Sequence, residues 1–123
     1  MIKIVLMLRK RADLSREQFI DYYENHHVPL VMGLIGDYFA DYKRNYVRWD
    51  NPVSAHAAPD FVAANGQQQF DVVTECWFKD EATMMACFDK SQNSEIAETI
   101  ALDEENCFDR SSIRSLIVDE YPS

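Results

Sequence analysis

Two side-chain rhythms share this chain, and their order limits what it can become. Runs alternating every second residue and runs with helical spacing follow one another as strand, helix, strand, strand, helix, strand. Ile2 to Arg9 opens the series, with Ile2, Ile4, Leu6 and Leu8 on one face and Lys3, Val5, Met7 and Arg9 on the other. Ser15 and Gln18 have capping-box spacing. Phe19, Tyr22, Tyr23 and His26 then share a face at i, i+3, i+4 and i+7, which predicts a helix. Pro29 disfavours helical geometry at Val28, so this helix is expected to end or kink at His26 and His27, with Gly33 and Gly36 closing the segment behind it. Tyr38 to Trp49 is rich in β-formers and predicts a second strand, with Tyr42, Arg44, Tyr46 and Arg48 on one face. Phe70 to Phe78 predicts the third and Ile113 to Glu120 the last. Between these two, Asp80 is expected to cap a short helix carrying Met84, Met85 and Phe88. Ser94 is expected to cap another, with Ile96, Ala97, Ile100 and Ala101 on its buried side. Asp50 to Gln69, with two prolines, a glycine and three consecutive glutamines, reads as a long loop, and loops of that length often serve as rims or lids.

The order β-α-β-β-α-β is that of a ferredoxin-like α+β fold, here in one domain of 123 residues. Its four strands are expected to form an antiparallel sheet with the helices on one face. The other face is expected to carry Val5, Met7, Tyr42, Tyr46, Val73 and Trp77, a set too apolar to leave in water. A second copy across a two-fold axis is the expected cover, giving a homodimer through sheet faces and a dimeric α/β barrel. The alternative is that these residues fill the core of a monomer. A cleft for a small-molecule substrate is expected between sheet and helices, near the end of the first helix.

The formal net charge of -9 argues against a sequence-independent nucleic-acid binder and against docking on anionic membranes. No apolar run approaches the roughly 20 residues of a membrane helix. The basic residues near the N-terminus follow the apolar run instead of preceding it, unlike a signal peptide. Cys76, Cys87 and Cys107 are odd in number and lack C-x-x-C spacing, which favours free thiols in a reducing compartment; a cytoplasmic location is expected.

His26 and His27 are the sharpest chemical feature. Histidine is the side chain suited to act as acid or base near neutral pH. By helical phase His26 lies with Phe19 and Tyr22 towards the core, and His27 points about 100° away beside Tyr23. A capping role at the negative helix end is the competing reading for either ring. A zinc site fits poorly: the two histidines are neighbours, His56 is distant, and no cysteine has ligand spacing with them. Tyr22, Tyr23, Tyr42 and Tyr46 offer phenols, and Arg44 and Arg48 offer bidentate sites for a carboxylate or phenolate, although each residue type also packs routinely. Asp71 and Glu75 share a strand face and are expected to pair with arginines across the sheet, while Asp103 and Glu104 read as a solvated helix end. Met84, Met85 and Cys87 read as core filler.

Four stretches together resemble the EthD-domain family: Met1 to Arg11 leading into Leu14-Ser15-Arg16-Glu17-Gln18-Phe19; Tyr22-Tyr23-Glu24-Asn25-His26-His27-Val28-Pro29-Leu30-Val31; Thr74-Glu75-Cys76-Trp77-Phe78; and Asp103-Glu104-Glu105-Asn106-Cys107-Phe108-Asp109. That family of dimeric α/β-barrel proteins includes methylmuconolactone methyl-isomerase and fungal polyketide dehydratases and decarboxylases. The family pattern of a histidine two residues before a proline falls on His27. The resemblance implies a homodimer without organic cofactor, acting by dehydration, decarboxylation or proton transfer on a small aromatic, lactone or polyketide-like acid. Either His27 or His26 would move the proton, and Tyr23, Tyr42, Arg44, Tyr46, Arg48 and Trp77 are the expected substrate-binding residues. A cofactor-free monooxygenase of phenols or quinols, and a non-catalytic accessory binding protein of a degradation cluster, are the alternatives.

Overall fold

In the computed structural model, which describes residues 1–57 and 68–122, four strands form one antiparallel sheet in the order β2-β3-β1-β4. The central strands are β1 (Ile2–Lys10) and β3 (Val72–Phe78); β2 (Asp41–Tyr46) and β4 (Phe108–Val118) lie on opposite flanks. Closure would require β2 to pair with β4. They do not meet, so the expected barrel is corrected to an open sheet in an α+β, roughly ferredoxin-like topology.

The register fixes which side chains face the helices. Ile4 pairs with Cys76, Leu6 with Thr74 and Leu8 with Val72, and on the other side of β3 Tyr42, Arg44 and Tyr46 pair with the same three residues. All of these share one face, and Val72, Thr74 and Cys76 are buried there. Tyr42 and Tyr46 therefore lie under the helices, not on the far face where they were expected. Alternation divides a strand into two faces without saying which of them packs. The far face keeps Val5, Met7, Val73 and Trp77 but adds a polar network. The Lys3 ammonium donates to Glu120 at 2.7 Å and lies 3.6 Å from Glu75, and the Trp77 indole donates to Glu120 at 3.0 Å. Glu75 is thus paired with a lysine, and Asp71 accepts the Lys10 backbone N–H, so neither takes the arginine partner expected of it.

β4 starts at Phe108, ahead of the expected Ile113. The β1–β4 register shifts between Met7 and Arg9, and the Ser112 hydroxyl accepts the Arg9 N–H at 2.9 Å, which carries the pairing past the irregularity to Lys10 and Phe108.

The first helical segment runs through the histidines instead of stopping. Helix α1 (Arg16–Tyr22) opens with the expected capping box, Gln18 N–H to Ser15 Oγ at 3.1 Å and Ser15 N–H to Gln18 Oε1 at 2.9 Å. A π turn over Tyr23–His27 follows, closed by a bond from the Val28 N–H to the Tyr23 carbonyl, and α2 (Val28–Ile35) continues to a short 3-10 turn at Gly36–Tyr38. Pro29 falls in the first turn of α2, where its missing N–H and fixed φ are tolerated, and the wide turn before it relieves the ring's clash with the preceding turn.

A short helix, α3 (Pro52–Ala57), occupies the start of the segment expected to be a long loop over Asp50–Gln69; residues 58–67 of that segment lie outside the described residues. Helix α4 (Glu81–Ser91) is capped by Asp80, which accepts the Thr83 N–H at 2.7 Å. Helix α5 (Ser94–Glu104) is capped by Asn93, one residue before the expected Ser94, because the Asn93 side-chain Oδ1 accepts the Glu95 N–H at 3.1 Å. Two apolar clusters form beneath the helices. Leu8, Phe19, Tyr23, Val72, Cys107 and Phe108 make one; Cys76, Phe78, Met84 and Cys87 make the other. No described helix is long and apolar enough to cross a membrane.

Candidate functional site

Between these clusters the packing leaves a cavity of about 420 Å³. Its floor is the sheet, through Ile4, Leu6, Leu8, Tyr42, Cys76 and Phe78. Its walls are α2, α4 and α5. Phe88, Gln92, Ala97 and Ser115 line it and are exposed, which marks the mouth; Tyr23 and His27 line it and are buried, which marks the inner end. The volume lies in the range of small-molecule pockets, and the lining is mostly apolar with a few polar groups.

His27 is 4% exposed. Its Nδ1 lies 2.8 Å from Asp103 Oδ2, and Asp103 Oδ1 accepts the Tyr22 hydroxyl at 2.6 Å. A carboxylate only accepts, so the imidazole donates from Nδ1, and in the neutral ring Nε2 then carries the lone pair. No hydrogen bond to Nε2 is found among the described residues. His27 stands under Tyr23, ring centroids 5.2 Å apart, and its edge meets Phe108. The π turn accounts for this placement. In a regular α-helix the residue at i+8 has drifted about 80° from residue i. The wider turn removes much of that drift, so that Phe19, Tyr23 and His27 form one buried row.

The Tyr23 hydroxyl shares a hydrogen with Thr74 Oγ1 at 2.9 Å and interacts with Tyr42, which lines the cavity beside it. Burial raises both phenols above their ordinary range, so both stay protonated and can donate. Burial likewise pushes the Cys76 thiol up to about 12 and raises Cys87, so these two thiols of the lining are neutral and poor nucleophiles. Glu104, from the end of α5, is the one carboxyl among the described residues of the lining. Burial raises its pKa, against opposition from His27 and Arg110, whose Nε lies 3.4 Å from Glu104 Oε1.

Of the residues singled out from sequence, His27, Tyr23 and Tyr42 meet at the cavity. His26 is exposed and stacks on Tyr22 at 4.8 Å. Arg44 and Tyr46 lie on the same sheet face but are occupied by Glu24: Arg44 donates from Nε at 2.9 Å and Nη2 at 2.7 Å, and the Tyr46 hydroxyl donates to the same carboxylate. Arg48 lies beyond the end of β2 and is exposed, and Trp77 stands on the far face of the sheet. Asp103 and Glu104, expected to be solvated, instead turn inward. The turn from α5 into β4 brings Asp103 against Tyr22 and His27 of the first helical segment, a long-range contact with no local signal in the sequence.

A likeness to solved structures accompanies this geometry. An EthD family protein from Bacillus halodurans superposes with a TM-score of 0.59 at 16% identity, over 98% of this chain and 100% of its own. A hydroxynitrile lyase from Passiflora edulis gives 0.53 at 16% identity, over 99% and 96%. A dimeric protein of unknown function with a ferredoxin-like fold from Bacteroides fragilis gives 0.50 at 9% identity, over 95% and 91%. These similarities support the fold, and they span an enzyme and a protein of unknown function. No curated protein matches the chain. The EthD domain model matches residues 11–111, most of the sequence, and the protein belongs to the EthD-domain family.

Proposed function

We propose that the protein is a cofactor-independent lyase or isomerase that moves a proton on a small aromatic, lactone or polyketide-like compound. The observation that carries this reading is the buried His27 at the inner end of the cavity, its Nδ1 engaged by Asp103 and its Nε2 without a hydrogen bond among the described residues. Nε2 takes a proton from a carbon made acidic by a neighbouring carbonyl. The Tyr42 phenol, held protonated by burial, donates to the oxygen on which the charge collects. The imidazolium then returns the proton to another carbon, which is isomerisation, or to a departing oxygen, which is elimination. Asp103 fixes the tautomer and offsets the charge on the ring. The lyase among the structural relatives adds support for elimination chemistry.

The test is deuterium incorporation, followed by NMR in D₂O, across a panel of activated aryl ketones and lactones. His27→Ala is expected to lose roughly 10²–10⁴-fold of the catalysed exchange, and His26→Ala to stay within about twofold because its ring lies outside the cavity. Wild-type exchange in His27→Ala would retire the mechanism. Binding without exchange in the native protein would assign it an accessory role instead.

The same reading includes a homodimer through the uncovered sheet face, supported by the apolar strip of Val5, Met7 and Val73 and by the dimeric relative. Light scattering that returns the mass of one chain would remove it.

A further inference from the structure

We infer that the cavity selects an uncharged ligand, a ketone, lactone or phenol in place of the corresponding carboxylic acid, and that Glu104 sets this preference. The inference rests on the reading above only for the location of the site. No lysine or arginine is among the described residues lining the cavity; of those residues, the charged or chargeable acid–base side chains are His27 and Glu104. Arg44, a strand arginine on that face, spends two donors on Glu24 and a third on the Tyr42 carbonyl at 3.0 Å, with its guanidinium 4.8 Å from the Tyr42 ring. It has no free fork to offer a carboxylate. A protonated His27 does not supply the missing cation, because Asp103 already matches that charge at 2.8 Å.

An incoming carboxylate would lose its hydration in an apolar cavity and find an acid there instead of a base. Burying an unpaired anion is among the costliest things a pocket can do. Glu104 adds repulsion that the low-dielectric walls screen poorly. Arg110 tempers this from outside the cavity: it pairs with Glu104 at 3.4 Å, but its side chain is 47% exposed and its charge is spent on that partner. A neutral carbonyl meets none of these penalties. Its oxygen can take the Tyr42 proton, and its rings can lie along Leu6, Leu8, Phe78 and Phe108.

The experiment compares two probes of nearly the same shape, 2-acetylnaphthalene and 2-naphthoate, by isothermal titration calorimetry on the intact protein near neutral pH. The wild type is expected to bind the ketone at least about tenfold more tightly than the carboxylate. Glu104→Gln, which keeps the shape and removes the charge, is expected to narrow that ratio by roughly threefold or more, chiefly by tightening naphthoate. Equal or tighter naphthoate binding by the wild type overturns the inference, as does failure of both probes to bind. A ratio unchanged in Glu104→Gln overturns the role given to Glu104, and the wild-type ratio stands as a test even if that variant does not fold. Because calorimetry reads binding and not exchange, a selective cavity with no catalysed exchange would sink the proton-transfer reading while leaving this one intact.

Discussion

Two clusters under the first helical segment are built from the same parts and differ in one valence. In each, a carboxylate is held between a phenol and a nitrogen base: Tyr22, Asp103 and His27 in one, Tyr46, Glu24 and Arg44 in the other. The arginine cluster closes on itself. Both guanidinium donors that face Glu24 are used, the carboxylate takes three bonds, and nothing basic is left over. The histidine cluster ends in a ring that lines a cavity, and among the described residues nothing hydrogen-bonds its Nε2. The contrast teaches that composition alone does not mark a site. A structural cluster completes its hydrogen bonds, whereas a chemical one holds one group rigidly and leaves it unfinished.

The largest effect expected to sharpen this contrast follows from Asp103→Asn. The amide can orient the ring through either of its groups, so the Nε2 lone pair is no longer assured and the imidazolium loses its counter-charge. A fall of about 10²-fold or more in catalysed exchange is expected, with ligand affinity little changed. Parity between Asp103→Asn and the wild type would show the two clusters to be equivalent.

Arg44→Met gives the opposite pattern. It strands a half-buried Glu24 without its two charged donors, at a cost of about 2 kcal/mol measured by urea denaturation. The exchange rate of the folded fraction is expected to stay within about twofold. A rate loss larger than the stability loss would move Arg44 back among the substrate-binding residues.

Smaller still are the phenols. Tyr22→Phe removes one of the two bonds that hold Asp103, and Tyr46→Phe one of the three that hold Glu24. Each is expected to cost about 1 kcal/mol of stability. Only the first should also slow exchange, by a few-fold, since only there does the carboxylate position a reacting base.

How far all this could be read without coordinates varies by element. Strand β3 was legible because its residues alternate between buried and half-buried, β1 because Ile2, Ile4, Leu6 and Leu8 recur at period two among β-formers, and Ser15 with Gln18 announced the start of α1. The order of elements led to the ferredoxin-like topology. The closed barrel was an inference about what should cover the far face, drawn from a residue set that wrongly included Tyr42 and Tyr46. Choosing between the histidines failed for a local reason. Regular helical phase points His26 inward, but the π turn at Tyr23–His27 carries His27 there instead, and no propensity scale announces one wide turn beside a proline. Asp103 was hidden differently. It lies 76 residues from His27, at the end of a helix with an acidic last turn, and looks solvated until α5 and β4 fold it back against the first helical segment.

The smallest expected effect, and the one that separates the carboxylates by sign, is the pH dependence of stability. Glu24 is held below its ordinary value of 4.5 by its bonds to Arg44 and Tyr46, with burial opposing. The folded state therefore binds that proton less readily than the unfolded chain. Its contribution is complete above 4.5 and is lost as pH falls through the folded value. Glu104 is raised from 4.5 by burial, so its ionised form costs stability above its folded value, and that cost disappears as pH falls towards 4.5. Urea midpoints measured from neutral pH downward should thus respond oppositely. Glu24→Gln is expected to flatten the decline below 4.5, and Glu104→Gln to remove a slight recovery just above it, each by roughly a few tenths molar. If both variants flatten the same limb, the pairing of Glu104 with Arg110 outweighs its burial, as the pairing of Glu24 with Arg44 does.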